Sequence, residues 1–210
     1  MIWRWKILTR CHQKIMIKRR LFNLLLLVAL PVVSYGADCP SAKSAENGFL
    51  LRNSGAISEF RPAQGPVVAI TNSFGSSKKQ TVYSYQGLFD LSRSSSDERY
   101  AIYPIDGLDK LLPIKKDGHH VIPFVPLDPQ QSSEKWTLEL TVTKRETVAV
   151  GRCKYEVFRI REETKRGGER VELWSALYSP DLHATLAKIY DEGTSEEAIV
   201  SYDYIQSLSR

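Results

Sequence analysis

Side chains that ligate metals or attack as nucleophiles are scarce in this chain. Its 210 residues hold four histidines and three cysteines. His119 and His120 are adjacent, so on a strand they point to opposite faces and do not converge on one ion. A zinc site takes three or four His, Cys or carboxylate ligands, and no paired-histidine spacing is present. The chain lacks Cys-x-x-Cys, a phosphate loop, a dinucleotide fingerprint and the Gly-x-Ser-x-Gly elbow. Ser179-Pro-Asp-Leu-His183 gathers a serine, Asp181 and His183 in five positions. A triad is recognised by geometry rather than by neighbouring positions, and Pro180 with Asp181 reads first as a turn. A hydrolase built on His183 and Asp181 is therefore the least favoured of three functional readings. No catalytic residue, metal ligand or cofactor is assigned.

Long hydrophobic runs are also missing. The longest, Leu21–Val33, spans 13 residues and is interrupted by Asn23. A membrane-crossing helix needs about 20 apolar residues. With Lys14, Lys18, Arg19 and Arg20 before the run and Ser34-Tyr35-Gly36 after it, residues 1–36 read as a signal peptide cleaved between Gly36 and Ala37. An uncleaved N-terminal anchor is the alternative. Asp38 before Cys39 argues against a lipoprotein, and Met16-Ile-Lys-Arg-Arg-Leu is an alternative start. The expected location is the periplasm or the exterior, with no stable membrane span after cleavage.

Net charge of one sign is missing once this leader is removed. The whole chain is formally +5, and the leader holds seven basic residues and no acid, which leaves −2 for the rest. The basic character belongs to export, and nucleic acid is not an expected partner.

Removing 36 residues from 210 leaves 174, enough for one domain with a real core. Two cysteines remain, and an even pair in an exported chain predicts a Cys39–Cys153 disulfide. Two independent buried thiols are the alternative.

What is present is strand after strand. Residues 37–66, with Pro40, Pro62, Pro66, Gly48, Gly55 and Gly65, read as an irregular lead-in. Residues 67–210 read as an antiparallel β domain. Its strands are expected at 67–71, 81–91, 100–103, 121–125, 136–143, 154–163, 170–178, 185–190 and 199–205. Trp136, Leu138, Leu140 and Val142 alternate with Thr137, Glu139, Thr141 and Thr143, the period of a half-buried strand. Pro123 demotes Val121–Val125 to an edge strand. In 154–163 the parity changes between Tyr155/Val157 and Phe158/Ile160. That predicts either a bulge near Val157–Phe158 or burial on both faces. Asp106 to Leu112 reads as one helical turn. The sum is a mostly β single domain: a strongly curved antiparallel sheet, half-barrel or barrel-like, of about nine strands with one or two short helical turns.

Certain pieces recur in order: Leu112-Pro-Ile, Gly118, Trp136–Val142, Val148-Ala-Val-Gly-Arg-Cys-Lys-Tyr155, Trp174, Tyr178-Ser-Pro-Asp-Leu182 and Lys188. About half of the chain beyond the leader thereby resembles a group of exported bacterial domains of unknown function. Their curved sheet is similar to that of LolA/LolB-type periplasmic lipoprotein carriers. The resemblance implies a concave side that holds something apolar, and supplies neither substrate nor site residues.

The aromatics of the second half fit two readings. One is ordinary core and cross-strand packing. The other is a lined concavity, with Trp136, Tyr155, Trp174 and Tyr178 as candidate ligand-binding residues. The leading expectation is a non-enzymatic cell-envelope protein binding a hydrophobic small molecule or lipid. A module that binds another envelope protein through an exposed edge, at Val121–Val125, is the second.

Overall fold

Alternating apolar and polar residues, punctuated by turns, build a meander. The computed structural model describes residues 39–75, 78–111, 114–128, 130–131 and 133–209. The expected signal segment 1–36, its cleavage site at Gly36 and Ala37 and the start at Met16 lie outside these residues. So do Leu112 and Pro113.

The strands are β1 (Phe49–Arg52), β2 (Ala56–Pro62), β3 (Val67–Phe74), β4 (Lys78–Tyr85), β5 (Phe89–Ser95), β6 (Arg99–Pro104) and β7 (His119–Pro126). They continue with β8 (Trp136–Val150), β9 (Cys153–Arg166), β10 (Glu169–Ser179), β11 (Ala184–Tyr190), β12 (Ala198–Ser201) and β13 (Tyr204–Ser207). All belong to one antiparallel sheet in the order β12-β11-β10-β9-β8-β7-β6-β5-β4-β3-β2-β1-β13. Its two edges, β12 and β13, are joined by Tyr202 and Asp203 alone, so the sheet curls back on itself without a closing ladder. Asn53 Nδ2 donating to the Ser201 carbonyl at 3.5 Å and Ser58 Oγ meeting the Tyr202 hydroxyl at 3.0 Å bridge the seam instead.

Among the described residues thirteen strands replace the expected nine or so. The 37–66 stretch, expected to be irregular, holds β1 and β2 after a capped turn, α1 (Ala42–Ala45), whose Ser41 and Ser44 cap each other. Residues 81–91 divide into β4 and β5 at a tight turn in which Gln86 and Gly87 both have positive φ. Residues 199–205 divide at the Tyr202–Asp203 corner. The expected turn near Asp106 is a 3-10 turn at Leu108–Leu111.

The core is two clusters, not one. Val157 and Ile160 are three apart on β9 and so point to opposite faces. Val157 packs with Phe49, Leu51, Leu177, Leu186 and Ile205. Ile160 packs with Phe89, Phe124, Leu140, Val142 and Tyr178. β9 therefore buries one face from Cys153 to Val157, with Lys154 and Glu156 exposed, and the opposite face at Ile160 and Glu162, with Arg161 exposed, so the expected change of parity is a change of buried face within a regular strand rather than burial on both faces at once. The bulge lies in the partner strand, where the β8–β9 register slips between Val142 and Lys144. β10 is buried on both faces from Ser175 to Ser179.

β7 is not an edge. It pairs with β6 on one side and β8 on the other. Pro123 is tolerated because of where its missing N–H falls. The Ile105 amide donates to the Pro123 carbonyl at 2.9 Å, so the proline nitrogen also faces β6, at the point where β6 has ended.

Cys39 and Cys153 are disulfide-bonded, with Cα atoms 5.6 Å apart across 114 residues of sequence. The bond fastens the start of the described chain to the first residue of β9.

Candidate functional site

Directly opposed residues of antiparallel strands share a face, so register extends each row across the sheet. Phe60, Ile70, Val82, Arg93 and Tyr100 oppose one another in turn from β2 to β6. Ser58, Asn72 and Gln80 form a parallel polar row. Ser58 donates to Asn72 Oδ1 at 2.7 Å, and Asn72 Nδ2 donates to Gln80 Oε1 at 3.3 Å. From β8 to β11 the row is Leu140, Glu162, Trp174 and Tyr190.

Apart from Leu140, these rows line one cavity of about 870 Å³, together with Leu88, Phe89, Ile102, Phe124, Trp136, Leu138 and Lys188. The volume falls within the roughly 300–1,000 Å³ of small-molecule sites. A second recess of about 660 Å³ runs along Arg161, Val171, Leu173 and Glu192. There Glu192 is already engaged by Ser175 Oγ and Arg159.

Of the four aromatic candidates, Trp136 and Trp174 line the cavity. Trp136 tilts against Phe124, and Trp174 stacks on Tyr190 with ring centroids 6.3 Å apart. Tyr178 is buried in the cavity-side cluster and donates to the Gln86 carbonyl at 2.9 Å. Tyr155 belongs to the other cluster, where burial pushes its phenol up to about 12.

His183 reaches the Tyr178 hydroxyl at 3.4 Å through Nδ1, and burial holds its pKa below the usual imidazole range. Ser179 is fully buried with no partner for its hydroxyl, and no hydrogen bond joins it to His183 or Asp181 among the described residues. His119 is exposed, with Nδ1 3.0 Å from Thr141 Oγ1. Burial lowers the pKa of its neighbour His120. Among the described residues no cluster of three or more His, Cys, Asp or Glu is placed to hold a metal.

Sequence reading missed the ionisable groups of the inner face. Glu162 is 3% exposed, lines the cavity, and has a buried Oε1 with no hydrogen-bond partner. Burial pushes its carboxyl up to about 8, against the smaller pull of Lys188. Lys188 lies opposite Ala176 on β11, with Nζ 3.4 Å from the centroid of the Trp174 ring. Burial lowers its pKa, opposed chiefly by Glu162. A signal for Glu162 existed: it stands two residues from Ile160, on the face that Ile160 buries.

Among the described residues no helix is long and apolar enough to cross a membrane. No protein-family model, curated protein or solved structure matches the chain.

Proposed function

We propose that this is an exported, non-enzymatic protein of the cell envelope whose curled sheet holds a small amphipathic ligand. The cavity of about 870 Å³ carries the reading. Its lining joins apolar side chains from β2, β3, β4, β6 and β7 to numerous polar and charged groups, a mixture that suits an amphipathic ligand. The disulfide fits an oxidising compartment. The reading also suits the concave carrier sheet that the sequence resembles.

Native mass spectrometry of protein isolated from periplasm tests it. The expected spectrum shows a chain beginning at Ala37 with a small organic molecule bound, which leaves on denaturation. A ligand-free mass, with no saturable uptake of added amphiphiles, contradicts it.

One observation favours a second reading, binding of another envelope protein by strand addition. Edge strand β12 is exposed throughout, with Ile199 59% and Val200 53% accessible. The edge would then be β12 and not Val121–Val125. Cross-linking from Ile199 in cells would trap one defined protein, and solvent extraction would yield no ligand.

A further inference from the structure

The ionisable side chains that line the cavity come from two walls. Asp90 and Arg93 stand on β5 and Tyr100 on β6; Glu162, Glu172, Lys188 and Tyr190 stand on β9, β10 and β11. They sense one another across the space. Asp90 and Glu172 both act on Glu162 and on Lys188, and Arg93 acts on Lys188, Tyr100 and Tyr190. Both cations of the group already face a charge or a ring, although the buried Nε of Arg93 makes no hydrogen bond. Arg93 Nη2 donates to Asp90 Oδ2 at 3.3 Å, and Lys188 lies over the Trp174 ring. Set against these, Asp90, Glu162 and Glu172 give one more carboxylate than there are cations, and Glu98 adds a further carboxylate to the lining.

Resting on the reading of this cavity as a ligand site, we infer that its ligand is an amphipathic organic monocation of the alkylamine or alkylguanidine class. Its head sits against Glu162 and its chain lies along Phe60, Ile70, Val82 and Leu138. A carboxylate enclosed in a wall without a partner is strongly unfavourable, and it is retained only when paired or protonated. Burial raises the Glu162 pKa, so the empty cavity favours the protonated carboxyl, with Asp90 and Glu172 set against Arg93 and Lys188 and the exposed Glu98 beside them. A bound ammonium replaces that proton. The Glu162 O–H bond breaks, one proton leaves to solvent, and a carboxylate–ammonium pair takes its place with the total charge unchanged. An anionic head finds no such exchange: Arg93 already faces Asp90 and Lys188 is stacked on Trp174, which leaves the single Nε–H of Arg93 as a donor against three carboxyl groups. A neutral head gains only the burial of its chain.

Isothermal titration of the purified chain with octylammonium, octanoate and octanol at pH 7, in two buffers of different ionisation enthalpy, tests this. Octylammonium is expected to bind about tenfold or more tightly than octanoate, a difference of about 1.4 kcal/mol or more, with release of most of one proton. On Glu162→Gln, octylammonium is expected to fall to the level of octanol measured on the same variant. Proton release by the unmodified chain does not depend on the variant folding. Octanoate binding as tightly as octylammonium, no proton release, or a cation preference that survives Glu162→Gln overturns the inference while leaving the cavity a ligand site. Failure of all three probes to bind overturns the ligand site itself, and the inference with it.

Discussion

The Tyr178 hydroxyl donates to the Gln86 carbonyl across 92 residues of sequence. This buried bond joins the end of β10 to the turn between β4 and β5, so it ties the two walls of the cavity together. Tyr178→Phe keeps the ring and removes the donor, which leaves the carbonyl unsatisfied. We expect a loss of roughly 1–3 kcal/mol in urea unfolding, with the slope unchanged. A loss below a few tenths would mean that the bond does not hold the walls.

The same junction is tight at the backbone. Gly87 has φ +68, and a Cβ there would overlap the His183 carbonyl. Gly65 has φ +63 and open space around it. Gly87→Ala therefore combines left-handed strain with overpacking, roughly 2–5 kcal/mol, whereas Gly65→Ala bears only the strain, roughly 1–2 kcal/mol. Thermal melts of the two variants side by side check the order.

The Cys39–Cys153 bond closes a loop of 114 residues. In the chain-entropy model that contributes on the order of 4–5 kcal/mol. Reduction, or the paired replacement Cys39→Ala with Cys153→Ala, is expected to lower Tm markedly. An unchanged melt in strong reductant would contradict the expectation.

Much of the second half was legible because its alternation is local. Trp136 to Val142 show their buried face in the sequence itself, and the cysteine pair followed from the even count left beyond the expected leader. What escaped reading depends on distant partners. β2 hides its period because its inward residue Ser58 is polar, made tolerable by Asn72 and Tyr202 from other strands. Gln86 at positive φ carries no turn signal of its own. Pro123 looked like an edge residue until β6 was seen to end opposite it. For the cavity, aromatic type alone selected Tyr155, which belongs to the other cluster, and passed over Glu162 and Lys188, whose inward direction comes from register.

Glu162 gives stability a pH dependence whose sign is fixed. Its carboxyl titrates near 8 in the folded chain against 4.5 as the ordinary value. Between these limits the unfolded chain binds fewer protons, so the contribution of Glu162 to stability falls as pH rises from about 4.5 to about 8 and is level outside that window. Glu162→Gln cannot ionise. Its stability relative to the unaltered chain is expected to climb from pH 5 to pH 8 in denaturant titrations. A constant difference, or one that shrinks with pH, would contradict the burial of an unpaired carboxyl.

The most direct test of the ligand cavity is an NMR titration of the folded chain with octanol, following methyl and indole signals. The account predicts saturable, one-to-one shifts at Ile70, Val82, Leu138, Trp136 and Trp174, with Leu51 and Leu186, which do not line the cavity, unmoved. Shifts that do not saturate, or that centre on Ile199 at the outer side of the sheet edge, would contradict it.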